Sequence, residues 1–152
     1  MPRRPRLKLL PEADAASAYL LDDQIGFRLR LAMQRHTALF MAGIPGRLTQ
    51  TQFAALAKLL EVGACSQNHL GRLIYLDAST IKGVVDRLRV RGLVAICDDP
   101  NDRRRRAVTL TDKGRKATEA AIKVAAEITA KTVAPLTPQE QRQVITLLRK
   151  LS

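Results

Sequence analysis

The residues equipped for chemistry in this chain are mostly cations. Four arginines in a row, Arg103–Arg106, follow the turn-rich stretch Asp98-Asp99-Pro100-Asn101-Asp102. Guanidinium groups carried at the tip of a turn reach phosphates and narrow minor grooves. Asp102, beside the run, is placed to hold one arginine extended through a charge-assisted pair. Upstream, Ile81, Val84, Val85 and Leu88 recur at helical spacing. Ser79, Gly83, Asp86 and Val90 fall on the opposite face, with Thr80 beside them and Lys82 and Arg87 at the flanks. A helix with one apolar face and one face of small, polar and basic residues suits a DNA major groove, and Gly83 allows close backbone approach. Enzymatic and metal chemistry find no such support. The only histidines are His36 and His69, and the only cysteines, Cys65 and Cys97, form no C-x-x-C. No Ser-His-Asp, Cys-His, paired-carboxylate or phosphate-loop arrangement occurs. No enzyme activity, cofactor or metal is expected.

Charge and composition agree. The chain has 152 residues and a formal net charge of +12, with a pI near 10.7. Such a balance calls for a polyanionic partner. Aromatic residues are only 3%, too few for the stacking platforms of single-strand binders, so duplex DNA is the expected partner. Residues 1–15 read as a basic arm, with Arg3, Arg4, Arg6 and Lys8 among early prolines. The arm lacks the run of about 7–15 apolar residues of a secretory signal. No stretch approaches the ~18 apolar residues of a membrane span. A cytoplasmic protein with reduced thiols, and no membrane partner, is the expectation.

The elements that position these residues follow from periodicity and caps. A helix is predicted from about Tyr19 to Ala42, closed by Gly43, Pro45 and Gly46. A second starts at Thr49 with a capping box to Gln52 and stops at Gly63. Ser66 caps a third helix to about Leu76, and Asp77 a fourth to Arg91. Leu93–Cys97 and Ala107–Leu110 read as strands of a hairpin with the four arginines at its tip. Thr111 opens a long helix to about Val133, and Thr137-Pro138-Gln139-Glu140 starts the last, which runs to Leu151. Two short helices joined by a turn and followed by a basic hairpin describe a winged helix-turn-helix in a mainly α chain.

Five segments carry a resemblance to a known family: Leu48-Thr49-Gln50-Thr51-Gln52, Asp77–Ile81 with Val85-Asp86-Arg87-Leu88, Arg91-Gly92-Leu93-Val94, Asp99-Pro100-Asn101-Asp102-Arg103-Arg104, and Leu110-Thr111-Asp112-Lys113-Gly114. Together they resemble the MarR family of winged-helix regulators. The resemblance implies a homodimer joined through N- and C-terminal helices, here about 17–44 and 112–152. The DNA-binding lobe would span about 48–111, all within a single domain of residues 16–152. It implies a recognition helix in the major groove and a wing in the minor groove. Ser79, Thr80, Lys82, Gly83, Arg87, Asp102, Arg103, Arg104 and Arg105 are then the DNA-binding candidates, with Arg104 the minor-groove arginine braced by Asp102. Lys82-Gly83 stands where the family often has Thr-Arg, and Ala95-Ile96 where a basic residue is frequent.

The resemblance also implies a small-molecule pocket. Phe27, Arg28, Arg35, His36 and Phe40 of the first helix and Phe53, Leu56 and Leu60 of the second are the candidates. An apolar cavity with one or two cations suits an aromatic carboxylate or its thioester. The segments Asn68–Leu73 and Thr80–Val85 are similar to those of regulators of aromatic-acid degradation, some of which answer to aromatic acyl-coenzyme A. The expected function is a repressor released from a palindromic operator by such an effector. A redox- or multidrug-sensing regulator of the same fold and a non-specific architectural DNA-binding protein are the alternatives.

Overall fold

The computed structural model describes residues 19–152. The described residues fall into two compact units, which divide between Arg35 and His36. The boundary falls inside the first helix, α1 (Ile25–Gly43).

In the first unit, a single 3-10 turn at Leu21–Asp23 precedes α1. The expected helical start at Tyr19 is therefore six residues early. Gln24 has an extended backbone (φ −84°, ψ 131°) that separates the turn from the helix. Its side-chain amide donates back to the Leu20 carbonyl at 2.9 Å. Tyr19, Leu20, Leu21 and Ile25 are all exposed.

The second unit holds the winged helix. Helix α2 (Gln50–Val62) starts on the Thr49–Gln52 capping box and ends at Gly63, where φ is +80°. Helix α3 (Gln67–Leu73) is capped by Ser66, and α4 (Ala78–Val90) by Asp77. The third helix ends three residues before the expected Leu76. Tyr75 takes a positive φ of 58°, and the Leu76 amide donates to the Gly71 carbonyl at 2.9 Å. This is the turn of the helix-turn-helix. Gly71 makes it tight, since a Cβ there would meet Ile81 Cγ2 at 3.0 Å and the Leu76 carbonyl at 3.1 Å.

Strands β1 (Val94–Asp98) and β2 (Arg106–Leu110) pair antiparallel, Val94 opposite Leu110 and Asp98 opposite Arg106. Cys65 adds a third element by an isolated bridge to Val108. Helix α5 (Asp112–Val133) begins at the Thr111 cap and α6 (Pro138–Leu151) at the Thr137–Glu140 capping box, where both were expected. The core gathers Phe40, Leu48, Leu56, Leu70, Ile81, Val85, Leu88 and Val108, with Ala121 and Ile128 of α5. Helix α6 buries no residue, and Ile145, Leu147, Leu148 and Leu151 are exposed. Among the described residues, no helix is long and apolar enough to cross a membrane.

Candidate nucleic-acid interface

Helix α4 presents the two faces that its spacing predicts. Ile81, Val84, Val85 and Leu88 are buried at 0–3% exposure. Their packing against α2 and α3 fixes which way the opposite face points. Ser79, Thr80, Lys82, Arg87 and Val90 are exposed, and Gly83 and Asp86 half-exposed. Gly83 is open: a Cβ there would meet only Arg87 Nη1, at 3.6 Å.

The helix starts where it does because Asp77 accepts from the Thr80 amide at 2.7 Å and from the Thr80 hydroxyl at 2.9 Å. Those two bonds hold the Asp77 carboxyl below the usual carboxylate range. The Thr80 hydroxyl proton is thus committed to the cap, which leaves its oxygen as an acceptor. Lys82 Nζ lies 2.7 Å from Asp86 Oδ2, and Arg89 Nη1 lies 4.0 Å from Asp86 Oδ1. Arg91, at the end of the helix, donates to the Gly46 carbonyl and, at 3.4 Å, to Gln52 Oε1. It ties α4 to the turn before α2.

The hairpin tip departs from expectation in two details. Arg106 is not at the tip; it belongs to β2 and pairs with Asp98 across the ladder at 2.8 Å. Three arginines remain there, Arg103, Arg104 and Arg105, all exposed. Asp102 does not brace the Arg104 guanidinium. Its Oδ1 accepts from the Arg104 backbone amide at 3.0 Å, while its Oδ2 lies 3.5 Å from Arg105 Nε. The carboxylate shapes the turn that carries Arg104 and attracts the side chain one residue further on. Asp99 completes the tip, accepting from the Asn101 amide at 2.8 Å. Between the tip and α3 lies a polar cleft of about 400 Å³, lined by Ser66, His69, Arg72, Asp99, Asn101 and Arg105 among others.

The effector candidates divide between the two units. In the first, Phe27 is half-buried with the Arg30 guanidinium 5.2 Å from its ring centroid. Arg28 is exposed and donates to the Asp22 carbonyl, and Arg35 is exposed on α1. In the second, Phe40 and Phe53 meet edge-on at 5.9 Å, with His36 6.3 Å from Phe40. Phe40 and Leu56 are buried members of the core, while Phe53 and Leu60 are half-buried. His36 Nδ1 lies 2.9 Å from Thr132 Oγ1. That hydroxyl already donates to the Ile128 carbonyl at 2.8 Å. It must therefore accept from the ring, so Nδ1 carries a proton. The basic arm lies outside the described residues.

Cys65 is half-buried, and burial followed by the nearby Asp99 charge pushes its thiol up. Cys97 is also free. No cluster of three or more metal-ligating side chains occurs among the described residues. Sequence reasoning missed the roles of Asp86 and Arg91. The four-residue step from Lys82 signals the first. The second depends on a contact 45 residues away, to Gly46, which no local pattern announces.

Comparison with known proteins agrees with this geometry. The MarR family model matches residues 48–105, the stretch from the start of α2 to the wing tip. The chain is similar to the HTH-type transcriptional repressor NicR of Pseudomonas putida, 38% identical over 134 residues, which are 88% of this chain and 85% of the relative. It superposes on a probable transcriptional regulator from Pseudomonas aeruginosa with a TM-score of 0.83 and 53% identity, over 88% of this chain and 100% of that one. Bordetella bronchiseptica BpsR, whose DNA binding is regulated by 6-hydroxynicotinic acid, gives 0.81 and 41%, over 88% of this chain and 96% of that one. With its helix-turn-helix, its basic wing and these relatives, the chain belongs to the MarR family of DNA-binding transcriptional regulators.

Proposed function

We propose that the protein is a homodimeric repressor that binds a palindromic operator and is released by a small aromatic acid or its coenzyme A thioester. The observation that carries the DNA reading is the pairing of an exposed, cation-flanked face of α4 with a hairpin tip bearing Arg103, Arg104 and Arg105. The helix enters a major groove and the wing the adjacent minor groove. The dimer reading rests on α6, whose exposed Ile145, Leu147, Leu148 and Leu151 form an apolar stripe that a second copy would cover.

The effector reading rests on His36 and on the relatives. A histidine ring beside the Phe40–Phe53 pair sets one polar group against aromatic surface, which suits an aromatic acid's carboxyl and ring. BpsR responds to a heteroaromatic carboxylic acid. The raised Cys65 thiol speaks against redox sensing at that residue, because the thiolate is the reactive form.

Calorimetry of the full chain with a panel of aromatic acids and their thioesters tests the effector. Binding by one of them, with a loss of operator affinity of roughly 5–150-fold, supports the proposal. No binding by any, together with release of DNA by an oxidant, refutes it.

A further inference from the structure

Asp86 sits awkwardly for a helix that meets a polyanion. It lies on the outward face of α4 with Ser79, Gly83 and Val90, and its side chain is 47% exposed. A bare carboxylate there would repel phosphate. Two features give it another use. It is held ionised, chiefly by the hydrogen bond from Lys82, so it can only accept. And Lys82 Nζ, 67% exposed, stands 2.7 Å from its Oδ2, while Arg89 Nη1 lies 4.0 Å from its Oδ1 and Gly83 adds no side chain between them and solvent. A donor and an acceptor are thus presented side by side, one hydrogen-bond length apart, on the face that the DNA reading turns toward base edges.

In the major groove a G·C pair offers N7 and O6 as acceptors and the cytosine N4 amino group as a donor. A lysine ammonium has three donors, so it can reach guanine without leaving its carboxylate. An A·T pair gives the lysine N7 with a donor next to it, and an O4 flanked by a methyl group. We infer that Lys82 and Asp86 act as one unit that reads a G·C pair in each half-site, Lys82 donating to guanine and Asp86 accepting from cytosine N4. Asp86 is then a specificity determinant rather than a surface ion pair. The inference rests on the reading of α4 as a major-groove helix.

Selection of duplexes from a randomised pool by the full chain, by Lys82→Met and by Asp86→Ala tests it. The wild-type consensus should contain one symmetric G·C position per half-site whose replacement weakens binding roughly tenfold. Each variant should lose that preference and keep the others. Both side chains are exposed, so the variants should fold. A readout on wild-type protein is also available: 7-deazaguanine at that position, lacking N7, should weaken wild-type binding and leave Lys82→Met unaffected. A consensus unchanged in both variants overturns the inference. So does an Asp86→Ala protein that binds every duplex more tightly with its preferences intact, because Asp86 would then only sequester the lysine. If the wild type selects no consensus at all, the operator reading itself fails, an outcome distinct from a consensus that the variants share.

Discussion

At the tip of the wing, Asp102 uses one carboxylate oxygen on the Arg104 amide and turns the other toward Arg105. Arg104 itself is exposed and has no side-chain partner among the described residues. The proposed interface assigns it to the minor groove. Arg104→Ala should weaken operator binding by roughly 1–3 kcal/mol, the scale of one good groove contact, measured by fluorescence anisotropy at fixed salt. Asp102→Ala should reproduce part of that loss through the turn, since it does not hold the guanidinium; an operator affinity unchanged by both would remove the wing from the interface. His36 lies on α1 with its ring on Thr132 of α5, outside α4 and the wing. His36→Ala should therefore leave operator affinity intact and blunt release by the aromatic effector. A variant that instead loses DNA binding would make His36 a residue of packing alone.

Among the elements, α5 and the turn before it show what the chain made readable and what it withheld. The cap at Thr111 and the end at Val133 follow from local sequence. The need for Gly114 does not. An added Cβ there would lie 1.8 Å from the Leu93 carbonyl oxygen, because the first turn of α5 presses on the segment entering β1. Gly114→Ala should cost roughly 1–3 kcal/mol or more of stability, read as a lower urea midpoint; wild-type stability would show that the two segments move apart freely. The faces of α4 and the caps of α2, α4 and α6 were legible for the same local reason. The early end of α3 and the late start of α1 were not. Tyr75 adopts its positive φ to join two packed helices, and the extended Gln24 interrupts an otherwise helical pattern. At the site, the exposed cations were legible, whereas the burial of Phe40 and Leu56 in the core depended on packing across helices.

The Asp77 cap on α4 also carries a pH signature. Its folded-state carboxyl titrates below the ordinary value. Its contribution is thus fully present above the unfolded value and disappears as pH falls through the folded one. Urea midpoints measured from neutral pH into acid should fall less for Asp77→Asn, which keeps a capping oxygen without the charge, than for wild type. Equal acid sensitivity would mean that the cap does not couple to folding.

For the whole molecule, charge and specificity are separate questions. A chain with a net charge of +12 should bind any duplex at low salt through counterion release. Its apolar α6 stripe calls for a second copy. Sedimentation at micromolar concentration should give twice the 16.8 kDa chain mass, and a monomer there would leave the stripe unexplained. In the proposed dimer, two copies of α4 and two wings related by a two-fold axis would require half-sites about one helical turn apart. The most direct test compares affinity for the selected palindromic duplex with affinity for a scrambled duplex of equal length, at one physiological salt concentration. A specific repressor should prefer the palindrome by about 10³-fold or more. A ratio near one would make the protein a coat for DNA and contradict the account.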